Sequence, residues 1–329
     1  MRGAAKTALR KQQLEHVPRL GRWDARFCAE SEPGITLLAR LDAEPVTWHY
    51  GLVARWWAEF EVSGPEIAYF QRFIEADGQP ALDVACGTGR LLVPYLRAGL
   101  DVDGCDISAD MLALCRERAE REGLSPRLYC RPMHELDLPR RYRTILVCGG
   151  FGLGGNRTHD REALRRLCEH LEPGGRLLLD NEVPYADKRT WRYFLKEERA
   201  ALPREFRPPR ERRRATDGSE YTLTSRIVDL DPLAQCVTLE MRAQMWRDDR
   251  LAAEETHLLR MTLYFTHELR LMLEQAGFQN VTLRGGYRDE EPTKDDDFVV
   301  FIARKPGDES SHSLDAGTWP QAPRSGTVP

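Results

Sequence analysis

The chain has 329 residues, with 48 Lys+Arg against 52 Asp+Glu, so 48 − 52 leaves a net charge of −4. Hydrophobic residues make up 41% and charged residues 30%. This is globular composition, which excludes wholesale disorder and collagen-like repeats. The slightly acidic balance argues against a dedicated nucleic-acid binder. No run of about 18 apolar residues exists, so no transmembrane helix is expected. The N-terminus lacks the apolar core of a secretory signal. The cysteines are scattered without a C-x-x-C pair. Cys86, Cys105, Cys130 and Cys148 fall in or just after expected strands, which points to reduced, buried thiols and a cytoplasmic setting.

In chain order, residues 1–45 are Arg-rich and weakly patterned, and read as an N-terminal arm, partly disordered. Val46 to Phe60 has aromatic residues at helical spacing. Ser63-Gly64-Pro65 breaks it, and a second helix starts with Pro65 near its first turn. Strand and helix then alternate. ALDVAC (81–86), LDVDGCD (100–106), PRLYC (126–130), YRTILVCGG (142–150) and RLLLDNE (176–182) read as strands. RLLVPYLRAG (90–99), the Ser108-capped run to Gly123 and DREALRRLCEHLEPGG (160–175) read as helices, the last ending in a turn. This alternation means βαβ units and a mostly parallel sheet.

After Val183 the pattern changes. Residues 185–215 are polar and rich in Arg and Pro, and three β-patterned runs follow: SEYTLTSRIVDLD, CVTLEMRAQMW and THLLRMTLYF. In the second, Val237, Leu239, Met241, Ala243 and Met245 alternate with polar residues, the period of a half-buried strand. Residues 185–265 therefore read as an inserted antiparallel meander, serving as substrate cover or as a homodimer contact. The α/β pattern resumes with a helix over 266–278 and two strands, QNVTLRGG and DFVVFIARK; the tail from 306 reads as disordered.

The strongest chemical signal is ALDVACGTGRLL. Asp83 ends a strand, and Gly87 and Gly89 make the turn into a helix, where glycine lets backbone approach a ligand. The dinucleotide fingerprint needs a third Gly, and that position is Leu92. Asp83 suits a cationic ammonium or sulfonium and repels a pyrophosphate. Asp106 ends the next strand, where a carboxylate accepts from both ribose hydroxyls. Ile107 and Met111 follow at positions suited to an adenine.

LDVACGTGR, CDISADML, LEPGGRLLLD and the late EQAGF followed by two strands resemble the class I S-adenosylmethionine-dependent methyltransferases of small-molecule type. The resemblance covers about residues 46–185 and 260–305, and implies a methyltransferase domain over 46–184 and 266–305. It implies a Rossmann-like seven-stranded sheet of order 3-2-1-4-5-7-6, the last strand antiparallel. It implies S-adenosyl-L-methionine as cofactor, with S-adenosyl-L-homocysteine as product. Asp83, Ala85, Cys86, Gly87 and Gly89 would surround its methionine part. Asp106 would hold the ribose and Ile107, Met111 and Met133 the adenine, with Cys148 and Gly149 near the sulfonium. Two departures stand out. Many relatives carry an acid after the third strand, where this chain has Arg131-Pro132-Met133; Asp137 is the substitute on offer. Ala85 stands where glycine is usual.

The run HYGLVARWWAEF resembles the helix that closes over the cofactor in small-molecule members, with Tyr50 and Trp57 in the transfer pocket; the bland alternative is an aromatic packing stripe. Asp180-Asn181-Glu182 ends the fifth strand as in metal-dependent members, but no acid ends the fourth, so no metal is expected. Glu182 is a candidate substrate contact. Tyr50, Glu182 and His257 are the catalytic candidates; His134 is a further histidine base, while His267 reads as a helix-start residue.

The expected function is methyl transfer to an N or O atom of a small-molecule acceptor by in-line displacement, without nucleic-acid or membrane partners. The alternatives are an NAD-dependent oxidoreductase on a similar fold, a nucleic-acid or protein methyltransferase, and a non-catalytic cofactor-binding protein.

Overall fold

The computed structural model describes residues 45–209 and 211–307. The expected arm, apart from residue 45, and the expected tail beyond residue 307 lie outside the described residues. Two helices lead in, α1 (Gly51–Phe60) and α2 (Pro65–Asp77). Then come β1 (Ala81–Val84), α3 (Leu92–Arg97), β2 (Val102–Asp106), α4 (Ala109–Arg121), β3 (Leu128–Cys130), β4 (Tyr142–Val147), α5 (Arg157–His170) and β5 (Leu171–Glu182). Two short helices follow, α6 (Lys188–Trp191) and α7 (Lys196–Arg199). The meander is β6 (Arg213–Arg214), β7 (Glu220–Asp231), β8 (Cys236–Arg247) and β9 (Arg250–Thr262). The chain closes with α8 (Thr266–Gln275), β10 (Gln279–Gly285) and β11 (Phe298–Arg304).

The main sheet has seven strands in the order β3-β2-β1-β4-β5-β11-β10. β11 is the seventh strand of this sheet in sequence and β10 the sixth, so the expected order 3-2-1-4-5-7-6 is the observed one. β1, β2, β3, β4 and β5 pair in parallel, and β11 runs antiparallel to both β5 and β10. The central strands are apolar on both faces because helices cover both. On one side Phe70, Ile74, Leu92 and Tyr95 pack on Leu146, Leu178 and Val300. On the other, Leu164, Leu167, Leu269 and Leu273 pack on Val147, Leu179 and Phe301.

The second sheet, β6-β7-β8-β9, is antiparallel throughout. The β8 alternation holds: Val237, Leu239, Met241 and Ala243 are buried, while Met245 is half-buried near the strand's end. Leu223, Leu239, Met241 and Leu259 form one apolar face with Trp48, Leu52, Val53 and Trp56. The N-terminal aromatic helix thus packs on the meander. A buried aromatic or aliphatic side chain of this kind contributes about 1.5–3 kcal/mol, and the two segments are one packing unit.

Several boundaries differ from expectation. The first helix begins at Gly51, not Val46, because Val46 exchanges backbone bonds with Gly154 (2.7 Å) and Arg260 (3.1 Å) and is held extended. The fifth helix begins three residues before Asp160, capped by Asn156, whose carboxamide accepts from the Thr158 and His159 N–H groups. The third meander strand starts at Arg250, six residues before Thr256, because Asp248 and Asp249 both adopt positive φ (50° and 59°) in a tight hairpin turn. Cys130 is exposed rather than buried, since it ends the edge strand β3; the other six cysteines among the described residues are buried, and all seven are free thiols.

Candidate active site

A cavity of about 320 Å³ lies over the C-terminal ends of β1, β2, β4 and β5, where ligands bind in open α/β sheets. α1, the segment before it and the meander close it from above. One half is built from the β1, β2 and β4 ends: Asp83, Ala85, Cys86, Gly87, Asp106, Ile107, Met111, Met133, Cys148 and Gly149 all line it. These residues, separated by up to 66 positions in sequence, are brought together along one wall.

The β1 turn is built for close approach. Gly87 has φ +54°, and a Cβ there would meet no heavy atom within 4 Å, so its missing side chain leaves room on the cavity side. Ala85 also takes positive φ (59°), a conformation that costs a non-glycine residue about 1–2 kcal/mol. Gly150 makes the substitution fit, because a Cβ at 150 would sit 2.4 Å from the Ala85 Cβ. Gly89 does different work. It does not line the cavity, and a Cβ on it would lie 2.7 Å from Cys115 Sγ and 2.9 Å from Val93 Cγ2. It sets the approach of α3 to α4 rather than contacting a ligand.

Two carboxylates dominate this half. Asp106 accepts from Gly87 N–H (2.9 Å) and Ser108 N–H (2.8 Å), which fixes its plane. Asp83 is 2% exposed, and its Oδ2 has no hydrogen-bond partner. Burial first, and then the Asp106 charge, push its carboxyl up to about 8. A buried acid with one oxygen unpartnered and facing a cavity calls for a cationic partner. An ammonium is such a partner; a pyrophosphate is not.

The β4 end is held by Asp180, which accepts from Gly149 N–H and Tyr287 O–H, and lies 3.4 Å from Cys148 Sγ. Asp180 is thus committed to shaping the turn. Among the described residues, no group of three His, Cys, Asp or Glu side chains is arranged to hold a metal.

The remaining candidates are scattered. Trp57 and Glu182 line the cavity, and the Trp57 Nε1 is buried without a partner. Tyr50 is the N-cap of α1 and does not line the cavity. It lies close enough to Asp106 that burial and that charge together raise its phenol. His257 is not at the cavity: it sits 3.2 Å from Glu255, whose carboxylate accepts from Leu52 N–H at the start of α1 (2.8 Å). Its place is to orient an acid that caps the covering helix. His267 is exposed on the first turn of α8, and Asp137 is exposed and away from the cavity. His134 does line it, stacked on His159 with ring centroids 3.9 Å apart.

Sequence reasoning missed part of the second half: His159, Asp160, Asp187, Thr190, Tyr264 and the leucines of the meander. Asp160 looks in sequence like any acid in a helix's first turn, and only the fold reveals its burial.

Residues 81–175 match the family model of a methyltransferase domain. A protein of Geobacillus sp. (strain WCH70), named as a candidate methyltransferase, is 24% identical over 68% of this chain and 83% of its own length. The demethylmenaquinone methyltransferase of Lactiplantibacillus plantarum is 32% identical over 36% of this chain and 53% of its own; the chain thus spans about half of that relative. The CcbJ methyltransferase of Streptomyces caelestis shares the fold, with a TM-score of 0.59, 21% identity, and coverage of 79% of this chain and 99% of that one. The chain carries a methyltransferase domain at residues 81–175, on the fold of the S-adenosylmethionine-dependent methyltransferases. The half-partnered Asp83, the fixed Asp106 and the open Gly87 turn fit that cofactor. S-adenosylmethionine, when bound, supplies an electrophilic methyl group on a sulfonium.

Proposed function

We propose that this methyltransferase acts on an N or O atom of a small-molecule acceptor, by in-line attack within the covered cavity. The observation that carries this reading is the apolar cover over one half of the cavity. Trp48, Trp56 and Trp57 from the α1 segment, and Leu223, Met241, Leu259 and Met261 from the meander, line the half of the cavity opposite the Asp83–Asp106 pair. A pocket of this volume with largely apolar walls suits a small ligand. Asp83 is then placed for the ammonium of the methionine part and Asp106 for the ribose. Ile107, Met111 and Met133 form the adenine slot. Ala85, Cys86, Gly87, Cys148 and Gly149 offer backbone along the ligand. The acceptor half holds the nucleophile near the methyl group and excludes water, which lowers the barrier through orientation more than through acid–base chemistry. Trp57 and Glu182 are substrate contacts in this reading; Tyr50 and His257 are structural. On this reading, residues 185–265 act as the acceptor's cover.

The test is a panel of small amines, alcohols and phenols, with RNA and protein as comparison acceptors, incubated with S-adenosylmethionine and followed by S-adenosylhomocysteine formation and by mass. Methylation of a small molecule at N or O is expected. Turnover confined to RNA or protein, or methylation at carbon, would overturn it. No helix among the described residues is long and apolar enough to cross a membrane.

A further inference from the structure

An adenine offers its 6-amino group to a hydrogen-bond acceptor, and the acid expected for it after the third strand is missing. Arg131, Pro132 and Met133 occupy that place and line the cavity. Their side chains supply no good acceptor. A guanidinium has donors only, proline has no polar side-chain atom, and a thioether accepts weakly. Their backbone carbonyls are engaged. Arg131 O accepts from Cys105 Sγ–H (3.4 Å), Pro132 O from Glu135 N–H (3.0 Å) and Met133 O from Leu136 N–H (3.3 Å). The carboxylates nearby are engaged or lie elsewhere. Asp106 accepts from the Gly87 and Ser108 N–H groups, and Asp110 from Gly51 N–H at 2.7 Å. Glu135 has a side chain 63% exposed and is not part of the cavity wall.

Two imidazoles stand beside this gap. His134 follows Met133 in the short helical turn Met133–Glu135, and His159 precedes Asp160 in the first turn of α5. Both line the cavity, and their stack joins the adenine slot to the α5 wall. The rings lie face to face, with centroids 3.9 Å apart and 2° between their planes. This contact fixes the plane of the His159 ring. Asn156 fixes the turn that carries it, accepting from His159 N–H at 3.0 Å. The His159 Nδ1 is buried and has no hydrogen-bond partner. Buried polar atoms without partners are rare, and each calls for an explanation such as a ligand. Burial first, and then the His159 ring, hold the His134 imidazole below the usual histidine range, so His134 is uncharged at neutral pH. A neutral imidazole has one nitrogen with a lone pair free to accept.

We infer that His159 reads the adenine: its unprotonated Nδ1 accepts from the 6-amino group, in the role of the missing acid, with His134 stacked against it to hold the ring. This rests on the methyltransferase reading above and deepens its adenine slot. Imidazole in place of carboxylate keeps the acceptor and gives up its charge. The base is then read by one neutral hydrogen bond, weaker than a charge-assisted one.

The experiment is calorimetric binding to the full chain of S-adenosylhomocysteine and of its 6-deamino analogue, which carries hydrogen in place of the amino group. The analogue is expected to bind about fivefold more weakly or worse, because it leaves a buried nitrogen unpaired. His159→Phe keeps a ring to stack on His134 and removes both nitrogens. It is expected to bring S-adenosylhomocysteine down to the affinity of the analogue, and to leave the analogue within about twofold of its value on the unaltered chain. Should His159→Phe not fold, the imidazole nitrogen NMR resonances of the unaltered chain give a second readout. The unprotonated nitrogen of His159 is expected to shift on binding S-adenosylhomocysteine and to stay in place with the analogue. Equal affinities for the two ligands, a discrimination that survives His159→Phe, or a His159 resonance that does not distinguish them would overturn the inference. Failure of the unaltered chain to bind either ligand would instead sink the methyltransferase reading itself.

Discussion

Asp106→Ala is expected to weaken S-adenosylhomocysteine binding by at least tenfold, and by up to about a hundredfold. Each charge-assisted hydrogen bond to a ribose hydroxyl contributes about 1.5–3 kcal/mol, and tenfold in affinity corresponds to about 1.4 kcal/mol. The same substitution strips the Gly87 and Ser108 N–H groups of their acceptor. Each unsatisfied buried donor costs about 1–3 kcal/mol, so the free protein is expected to lose stability as well. Asp106→Asn keeps one acceptor oxygen without the charge, and separates the two effects. Calorimetry for binding and urea unfolding for stability measure them. Unchanged affinity in Asp106→Ala would remove the ribose assignment.

Asp83→Asn is expected to act in opposite directions on stability and on binding. The Asp83 carboxyl is held at about 8 in the folded chain, mainly by burial, against about 3.9 in an unfolded one. Between those values the folded state binds the extra proton, so stability falls as pH rises from about 4 to about 8. The asparagine removes that penalty. The ligand-free variant is expected to be more stable than the parent at pH 8 and indistinguishable from it near pH 4. Binding shows the converse. A ligand ammonium beside Asp83 favours the carboxylate, so at pH 7 the parent releases protons on binding S-adenosylhomocysteine. Titrations in buffers of different ionisation enthalpy read this release directly. Asp83→Asn is expected to abolish it and to weaken binding by at least tenfold. A parent that binds with no proton exchange, or a variant less stable at pH 8, would show that Asp83 is not the ammonium's partner.

Much of this site is legible in the residues alone. The strand-turn-helix at Asp83–Gly89 and the strand ending at Asp106 are local features, set by a few consecutive residues. Local backbone physics fixes them, and the fold merely places them side by side. The alternation of elements by itself gives a mostly parallel sheet; the seven-stranded order is what the resemblance to class I methyltransferases implies. What was not legible depends on contacts across the chain. That Gly89 serves α3–α4 packing requires knowing where Cys115 lies. That His257 orients Glu255 requires the β9 register against the start of α1. Val46 carries a helical pattern, yet a partner strand-like segment at Gly154 and Arg260 holds it extended, a tertiary override of local preference. Asp160 is the sharpest case. Its sequence context is an ordinary first-turn acid on a helix, and its chemistry comes from Tyr264 and Thr262, more than 100 positions away.

The meander illustrates how one segment serves two ends. Its apolar face completes the packing of α1, and the same face supplies Leu223, Met241 and Leu259 to the cavity. On the proposed reading, acceptor contact and helix packing draw on the same side chains, and substitution there is expected to change both together.

The measurement that bears most directly on the central claim is calorimetric titration of the unaltered protein with S-adenosylhomocysteine, and in parallel with NAD. One equivalent of S-adenosylhomocysteine binding in the micromolar range or tighter, with no heat from NAD, is the predicted result. Binding of NAD with none of S-adenosylhomocysteine would contradict the account and assign the same glycine turn to a different nucleotide.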